Sequence, residues 1–293
     1  MFLRCLVVFC LAPFALVLPV SLSALAETPI RVQQEAGVTA PEITVLSEAM
    51  MIGTMMEVMR DEGLDYGATL EAEMFPNRGG AKWQAVVALI YDPVSMRKRF
   101  DTAFAAELAS DLPAVVRMQE FFGSDRGQRI LALEIEARRA LMDDAVEEAA
   151  KVAVEDMIAT GDPRMEALQR FAQTNDLIES NVAGALNSNL AFFRGLAEGG
   201  ALIADMTEQE MLADVWSQEP QIRADTGEWL FSYLALAYQP LSEADMAAYQ
   251  VFSESPAGQS LNAALFRAFD VVFTAIARDL GRAAARQMQG EDI

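Results

Sequence analysis

Ser95 and Lys98 stand three residues apart in Ser95-Met-Arg-Lys98, the spacing with which some exported acyl-transfer enzymes pair a serine nucleophile with a lysine base. Those enzymes also need Ser-Asp-Asn and Lys-Thr-Gly partners, and the chain contains neither. Its lysines are Lys82, Lys98 and Lys151 only, and Arg97-Lys98-Arg99 reads as a solvated basic face. The residue inventory narrows the choice further. There is no histidine, and both cysteines, Cys5 and Cys10, lie in the first ten residues. Imidazole triads, thiol nucleophiles, His-ligated zinc and the carboxylate–histidine di-iron motif are thereby excluded. Gly-x-Ser-x-Gly, Gly-x-x-x-x-Gly-Lys and Gly-x-Gly-x-x-Gly are also absent.

Carboxylates, tyrosines and methionines remain. Glu134, Glu136, Asp143, Asp144, Glu147, Glu148, Glu155 and Asp156 crowd one region, and burial could split two of them into an acid/base pair. Glu134 lies four residues before Arg138, however, which reads as a surface helix pair, and the acids at 143–148 suit a helix start. A carboxylate hydrolase assisted by Tyr66, Tyr91, Tyr233 or Tyr249 is one alternative. A second is copper: Met51, Met55 and Met59 form a four-residue stripe beside Met50 and Met56, and thioethers bind Cu(I). Adaptable apolar packing explains the same stripe without a metal. The Arg278, Arg282, Arg286 series suits a helix C-terminus. No catalytic, metal-binding or cofactor-binding residue is assigned, and no cofactor is expected.

All of these side chains must be positioned by helices. From Glu42 onward apolar residues recur at three- and four-residue spacing, without convincing two-residue alternation. Asp92-Pro93, Asp162-Pro163, Thr207-x-x-Glu210 and Ser255-Pro256 are helix starts. The pattern predicts helices over 42–62, 67–75, 80–90, 93–109, 112–122, 125–142, 144–160, 163–198, 208–217, 220–238, 243–252 and 256–286. The fold class is all-α, a multi-helix bundle of two related helical repeats, 42–160 and 161–293.

The repeat rests on Phe121-x-x-Ser124-x-x-Gly127-Gln128, which recurs 131 residues later as Phe252-x-x-Ser255-x-x-Gly258-Gln259. The same offset pairs Phe100 with Phe231, each expected to begin an apolar helix, and Asp111 with Ser242 as caps; Trp83 and Trp216 lie 133 apart. The segment describes a tight helix-to-helix corner. Phe121 or Phe252 closes one helix, and the serine caps the next. Pro256 fits the first helical position, the glycine lets two helices cross closely, and the glutamine amide satisfies leftover backbone groups.

With Leu241-Ser-Glu-Ala-Asp-Met-Ala-Ala-Tyr-Gln-Val-Phe-Ser-Glu-Ser-Pro-Ala-Gly-Gln259, the chain resembles a bacterial domain-of-unknown-function family, number twenty fifty-nine of that series. Gly123-Ser-Asp-Arg-Gly127-Gln is a degenerate first copy, and Val58-Met-Arg-Asp-Glu-Gly-Leu-Asp-Tyr-Gly67 resembles the longer, two-copy members. The resemblance implies an exported, all-helical protein and brings no reaction or catalytic residue.

The N-terminus points the same way. Arg4 precedes an uncharged run from Cys5 to Ser23, which closes on Ala24-Leu25-Ala26. This is the layout of a secretory signal peptide, expected over 1–26, followed by a mobile leader over 27–41. Cleavage would leave a cysteine-free chain in a periplasmic or otherwise exported compartment, with no other uninterrupted apolar run of spanning length and no stable membrane insertion. The formal net charge of −21 repels phosphate backbones and anionic headgroups, which argues against nucleic acid. The expected function is therefore a non-catalytic binding or interaction protein of the cell envelope. Its partner would be an unknown protein or a small apolar ligand, held in a cleft between the two repeats.

Overall fold

The computed structural model describes residues 40–201 and 206–290, and the described residues are helical with short connections. In chain order the helices are α1 (Pro41–Ala49), α2 (Ile52–Met74), α3 (Gly80–Ile90), α4 (Pro93–Leu108), α5 (Leu112–Phe122), α6 (Asp125–Ala140) and α7 (Asp144–Thr160). They continue as α8 (Pro163–Thr174), α9 (Leu177–Glu198), α10 (Glu208–Ser217), α11 (Glu219–Tyr238), α12 (Glu243–Glu254) and α13 (Pro256–Gln289). The protein is an all-α, multi-helix bundle. The expected signal peptide, 1–26, lies outside the described residues, as does most of the expected leader. The leader's last two positions belong to α1, with Ala40 as its N-cap and Pro41 in its first turn.

Helix starts follow the sequence signals. Asp92, Asp111, Asp143 and Asp162 each accept a backbone N–H at the start of the following helix. Thr207 and Glu210 close a reciprocal capping box on α10. Two expected helices are broken. The 42–62 helix stops at Ala49 and resumes at Ile52, across Met51 at φ 55°. The 163–198 helix breaks between Thr174 and Leu177, across Asp176 at φ 49°. A left-handed residue ends each first helix without glycine or proline, so no punctuation marks either break. The expected 67–75 helix is the end of α2, which runs on through Gly63 and Gly67.

Apart from a smaller cluster of Val182, Ala185, Leu186, Val215 and Ile222, the main apolar core runs from Ile43 to Ala285 through both halves of the chain. Its spine is α13 packed along α9. A Cβ on Gly195 would lie 2.2 Å from the Arg278 carbonyl oxygen, and one on Gly281 2.2 Å from that of Phe192, so the two backbones touch where those glycines face each other. Helix α13 also packs on α4, where the Phe100 and Phe269 rings meet at 4.8 Å, and α11 packs on α6. By length and composition α13 could cross a membrane, although Arg267 and Asp270 interrupt its apolar run. Here its apolar stripe is covered by α9 and α4.

Phe100 and Phe231 do not begin helices: they lie inside α4 and α11, which start at Pro93 and Glu219, in line with the helices expected over 93–109 and 220–238. Trp83 is fully buried, donating from Nε1 to the Gly67 carbonyl at 2.7 Å, while Trp216 is 62% exposed on α10. The two tryptophans have different environments despite their similar spacing.

Candidate functional site

The two corners bring the residues singled out from sequence face to face. In the first, Ser124 Oγ donates to the Phe121 carbonyl at 2.6 Å and accepts from the Gly127 N–H at 3.1 Å. In the second, Ser255 Oγ makes the same pair of bonds, to the Phe252 carbonyl at 2.6 Å and from the Gly258 N–H at 3.1 Å. Gln128 Nε2 donates to the carbonyls of Phe122 and Ala49, at 2.6 and 2.7 Å. Gln259 Nε2 donates to those of Ser253 and Thr174, at 2.7 and 2.9 Å. Each glutamine thus ties its corner to the end of a helix far away in sequence, α1 or α8. The corners face each other, and the Phe121 and Phe252 rings stack with centroids 4.2 Å apart. Pro256 occupies the first turn of α13, and Asp111 and Ser242 cap α5 and α12.

Between the corners lies a narrow cleft of about 30 Å³, room for about two water molecules. Met50, Phe122, Leu131 and Glu134 line it from the first half of the chain. Asn175, Tyr249, Phe252, Ser253, Gly258, Leu261, Asn262 and Leu265 line it from the second. Asn262 Nδ2 donates to the Asn175 carbonyl at 2.8 Å. Its buried Oδ1 has no hydrogen-bond partner among the described residues.

Behind the cleft is a buried polar seam between α6, α11, α12 and α2. Glu134 is 2% exposed, and its Oε1 accepts from the Tyr238 hydroxyl at 2.6 Å and the Tyr249 hydroxyl at 3.2 Å. One turn further along α6, Arg138 is equally buried and forks onto Glu62, with Nε–Oε1 at 2.7 Å and Nη2–Oε2 at 2.6 Å. This corrects the sequence reading of Glu134 and Arg138 as a solvated surface pair. They lie on the face of α6 that also carries Ile130, Leu131 and Ile135, and α11 covers that face. All five tyrosines of the chain, Tyr66, Tyr91, Tyr233, Tyr238 and Tyr249, are buried.

Electrostatics keeps those phenols neutral. Burial, followed by the nearby Glu134 charge, holds Tyr233, Tyr238 and Tyr249 well above the usual phenol range. Burial also raises Tyr91 and Tyr66. The Tyr66 and Tyr91 hydroxyls have no hydrogen-bond partner among the described residues. The seam therefore consists of two carboxylates, one guanidinium and neutral donors.

The other candidates are dispersed. Ser95 and Lys98 are exposed, and the Ser95 backbone N–H donates to the Asp92 cap at 2.9 Å. Arg97, read as part of a solvated face, bonds to Ser47, Glu48 and Asp101 with its side chain 19% exposed. Met50, Met55, Met56 and Met59 are core residues, with Met51 half-buried at the α1–α2 break. Arg278 and Arg282 both bond to Glu198 at the end of α9, rather than to the end of their own helix. Asp143 caps α7, and Glu147 pairs with Lys151 at 3.4 Å. No group of three or more acidic side chains among the described residues is arranged to hold a metal.

Sequence reasoning missed Glu62, Arg138 and Tyr238 as site residues, together with Asn175 and Asn262. A signal existed for Arg138. Positions 130, 131, 134, 135 and 138 form one helical stripe, which places Glu134 and Arg138 among apolar neighbours. Comparison with known proteins found no matching family model, no matching curated protein and no matching solved structure.

Proposed function

We propose that the protein is an exported, non-catalytic binding protein built from two copies of one six-helix unit, with its ligand cleft on the seam between the copies. The copies are α1–α6 and α8–α13, joined by α7. Helix lengths follow the same order over the first five helices of each copy, short then long at α1–α2 and α8–α9, with both of those pairs broken at a left-handed residue, while α13 at 34 residues outruns α6 at 16. Packing recurs as well: α1 on α5 as α8 on α12, α2 on α4 as α9 on α11, and α4 on α13 as α11 on α6.

The observation that carries the reading is how the cleft is lined. Met50, Phe122 and Leu131 stand opposite their counterparts Asn175, Ser253 and Asn262, at offsets of 125, 131 and 131. Glu134 stands opposite Leu265. Corresponding positions have diverged in polarity from one wall to the other, giving a small amphipathic cleft on the seam. Divergence extends into the seam. Arg138 corresponds to Phe269, which packs on Phe100 in an apolar α4–α13 contact. The same fold position thus works without charge, and the buried charges of the other half call for a reason beyond packing.

Catalysis fits less well. Glu62 is neutralised by the Arg138 fork, and the tyrosines bonded to Glu134 are held too weakly acidic to serve as proton donors near neutral pH. The buried Met50–Met59 stripe serves core packing better than copper. Native mass spectrometry of protein purified from the exported fraction of its own host tests the reading. A chain beginning near Glu27 that carries a small bound mass supports it. A bare chain retaining residues 1–26 contradicts both export and ligand binding.

A further inference from the structure

Residues 76–100 reverse the charge of the chain. In a sequence of net −21 they carry Arg78, Lys82, Arg97, Lys98 and Arg99 against one acid, Asp92. The stretch runs from just before α3, through the turn that follows it, to the middle of α4. Asp92 is committed as the α4 cap, accepting the Ser95 N–H at 2.9 Å. Arg97 is taken up by Glu48 and Asp101, and Arg99 stands 3.7 Å from Asp279. Lys82 and Lys98, two of the three lysines in the chain, are exposed, and Lys98 has no ion pair among the described residues. Arg60 of α2 also reaches the turn, donating to the Ala88 and Tyr91 carbonyls at 3.1 and 3.5 Å, but exposed Glu57 and Asp61 on the same helix offset it.

The same turn carries the two most exposed large apolar side chains of the described residues. Leu89, in the last turn of α3, is 74% exposed, and Val94, in the first turn of α4, is 77% exposed. Their neighbours Val87, Tyr91 and Met96 are buried, which fixes the backbone that presents them. With Ala81 and Ala85, Leu89 makes the outward face of α3 apolar as well as the inward one, and a helix apolar on both sides is normally covered on both. None of these side chains lines the cleft, so this second surface is independent of any ligand held there.

A projecting apolar turn in a basic setting is complementary to a surface that is anionic with hydrocarbon directly beneath it. A protein partner would need a pocket shaped for two protruding side chains, whereas a fluid bilayer needs none. The overall charge opposes such contact, but salt at physiological strength screens it beyond about 8 Å, so the patch that meets the surface decides. Each basic residue held near an anionic leaflet strengthens binding about fivefold. We propose that the α3–α4 turn is a peripheral docking site for an anionic lipid surface. Leu89 and Val94 dip into the acyl boundary, and Lys82 and Lys98 reach the headgroup phosphates.

Flotation with vesicles of mixed phosphatidylglycerol and phosphatidylcholine, against vesicles of phosphatidylcholine alone, tests this on protein purified from the exported fraction of its own host. The expected result is binding to the anionic vesicles, and binding at least tenfold weaker to the zwitterionic ones. Leu89→Gln combined with Val94→Gln should weaken binding at least tenfold, and so should Lys82→Gln combined with Lys98→Gln. Val251→Gln removes an apolar side chain 67% exposed on α12, outside the patch, and should leave binding unchanged. All five positions are exposed, so the variants should keep the helix content of the parent. Equal binding to both vesicle types, undiminished binding by either double variant, or no vesicle binding at all would overturn the proposal. Capture on immobilised polyglutamate without vesicle binding would replace the lipid surface with an acidic protein partner.

Discussion

Replacing Gly258 by alanine adds a single methyl group, yet the corner has no room for it. A Cβ there would lie 2.1 Å from the Phe252 carbonyl oxygen and 2.8 Å from the Ser253 Cα. Both atoms are backbone, so relief requires α12 and α13 to separate by roughly 1 Å or more. Overpacking of this kind costs about 1–3 kcal/mol. Alanine's better helix propensity returns about 0.5–1 kcal/mol, so the mid-range net loss is about 1 kcal/mol. For a chain of this size that lowers Tm by about 2–4 °C. Gly184, inside α9, is the control, because a Cβ there meets nothing within 4 Å. Gly184→Ala should gain the propensity term alone and raise Tm by about 1–4 °C. Gly127→Ala should resemble Gly258→Ala, since its Cβ would lie 2.3 Å from the Phe121 carbonyl oxygen and 2.6 Å from the Phe122 Cα. Thermal unfolding followed by circular dichroism measures all three. A Gly258→Ala variant as stable as the parent, or a Gly184→Ala variant that loses as much, would refute the steric reasoning.

Arg138→Ala should destabilise the protein by about 3–5 kcal/mol by leaving Glu62 without its fork, and Glu62→Leu combined with Arg138→Met should recover most of that loss. A double-mutant cycle in denaturant checks it, and additive effects would mean the pair is not coupled. High pH should unfold the chain. The tyrosines are raised in the folded state, so their contribution is intact below the unfolded phenol value of about 10 and is lost as pH climbs above it, by up to about 1.4 kcal/mol per tyrosine per pH unit. Tyrosinate absorbance and helix content followed together should change in one transition. Phenols that titrate near pH 10 while the helices persist would show that they are not buried as described.

Much of the fold was legible because helices announce themselves locally. Caps at Asp92, Asp111, Asp162 and Thr207 set starts that the structure places at the same residues. Both missed breaks, at Met51 and Asp176, are single left-handed residues within continuous periodic patterns. The charged seam was missed for a related reason. Glu134 and Arg138 show the spacing of an exposed ion pair, and only the α11 helix packed over them makes them core residues. Periodicity within α6 carried that information, and reading charge before phase hid it. The cleft depends on helices about 130 residues apart in sequence coming face to face, and no local pattern encodes it.

A crystal structure of the protein purified from its own host, at a resolution that separates water from a larger molecule, examines the cleft itself. Binding at the seam predicts ordered density for a small molecule between Glu134 and Asn262, with a donor atom within hydrogen-bond distance of Asn262 Oδ1. Only water in the cleft, or Asn262 Oδ1 turned onto a donor of the protein itself, would contradict it.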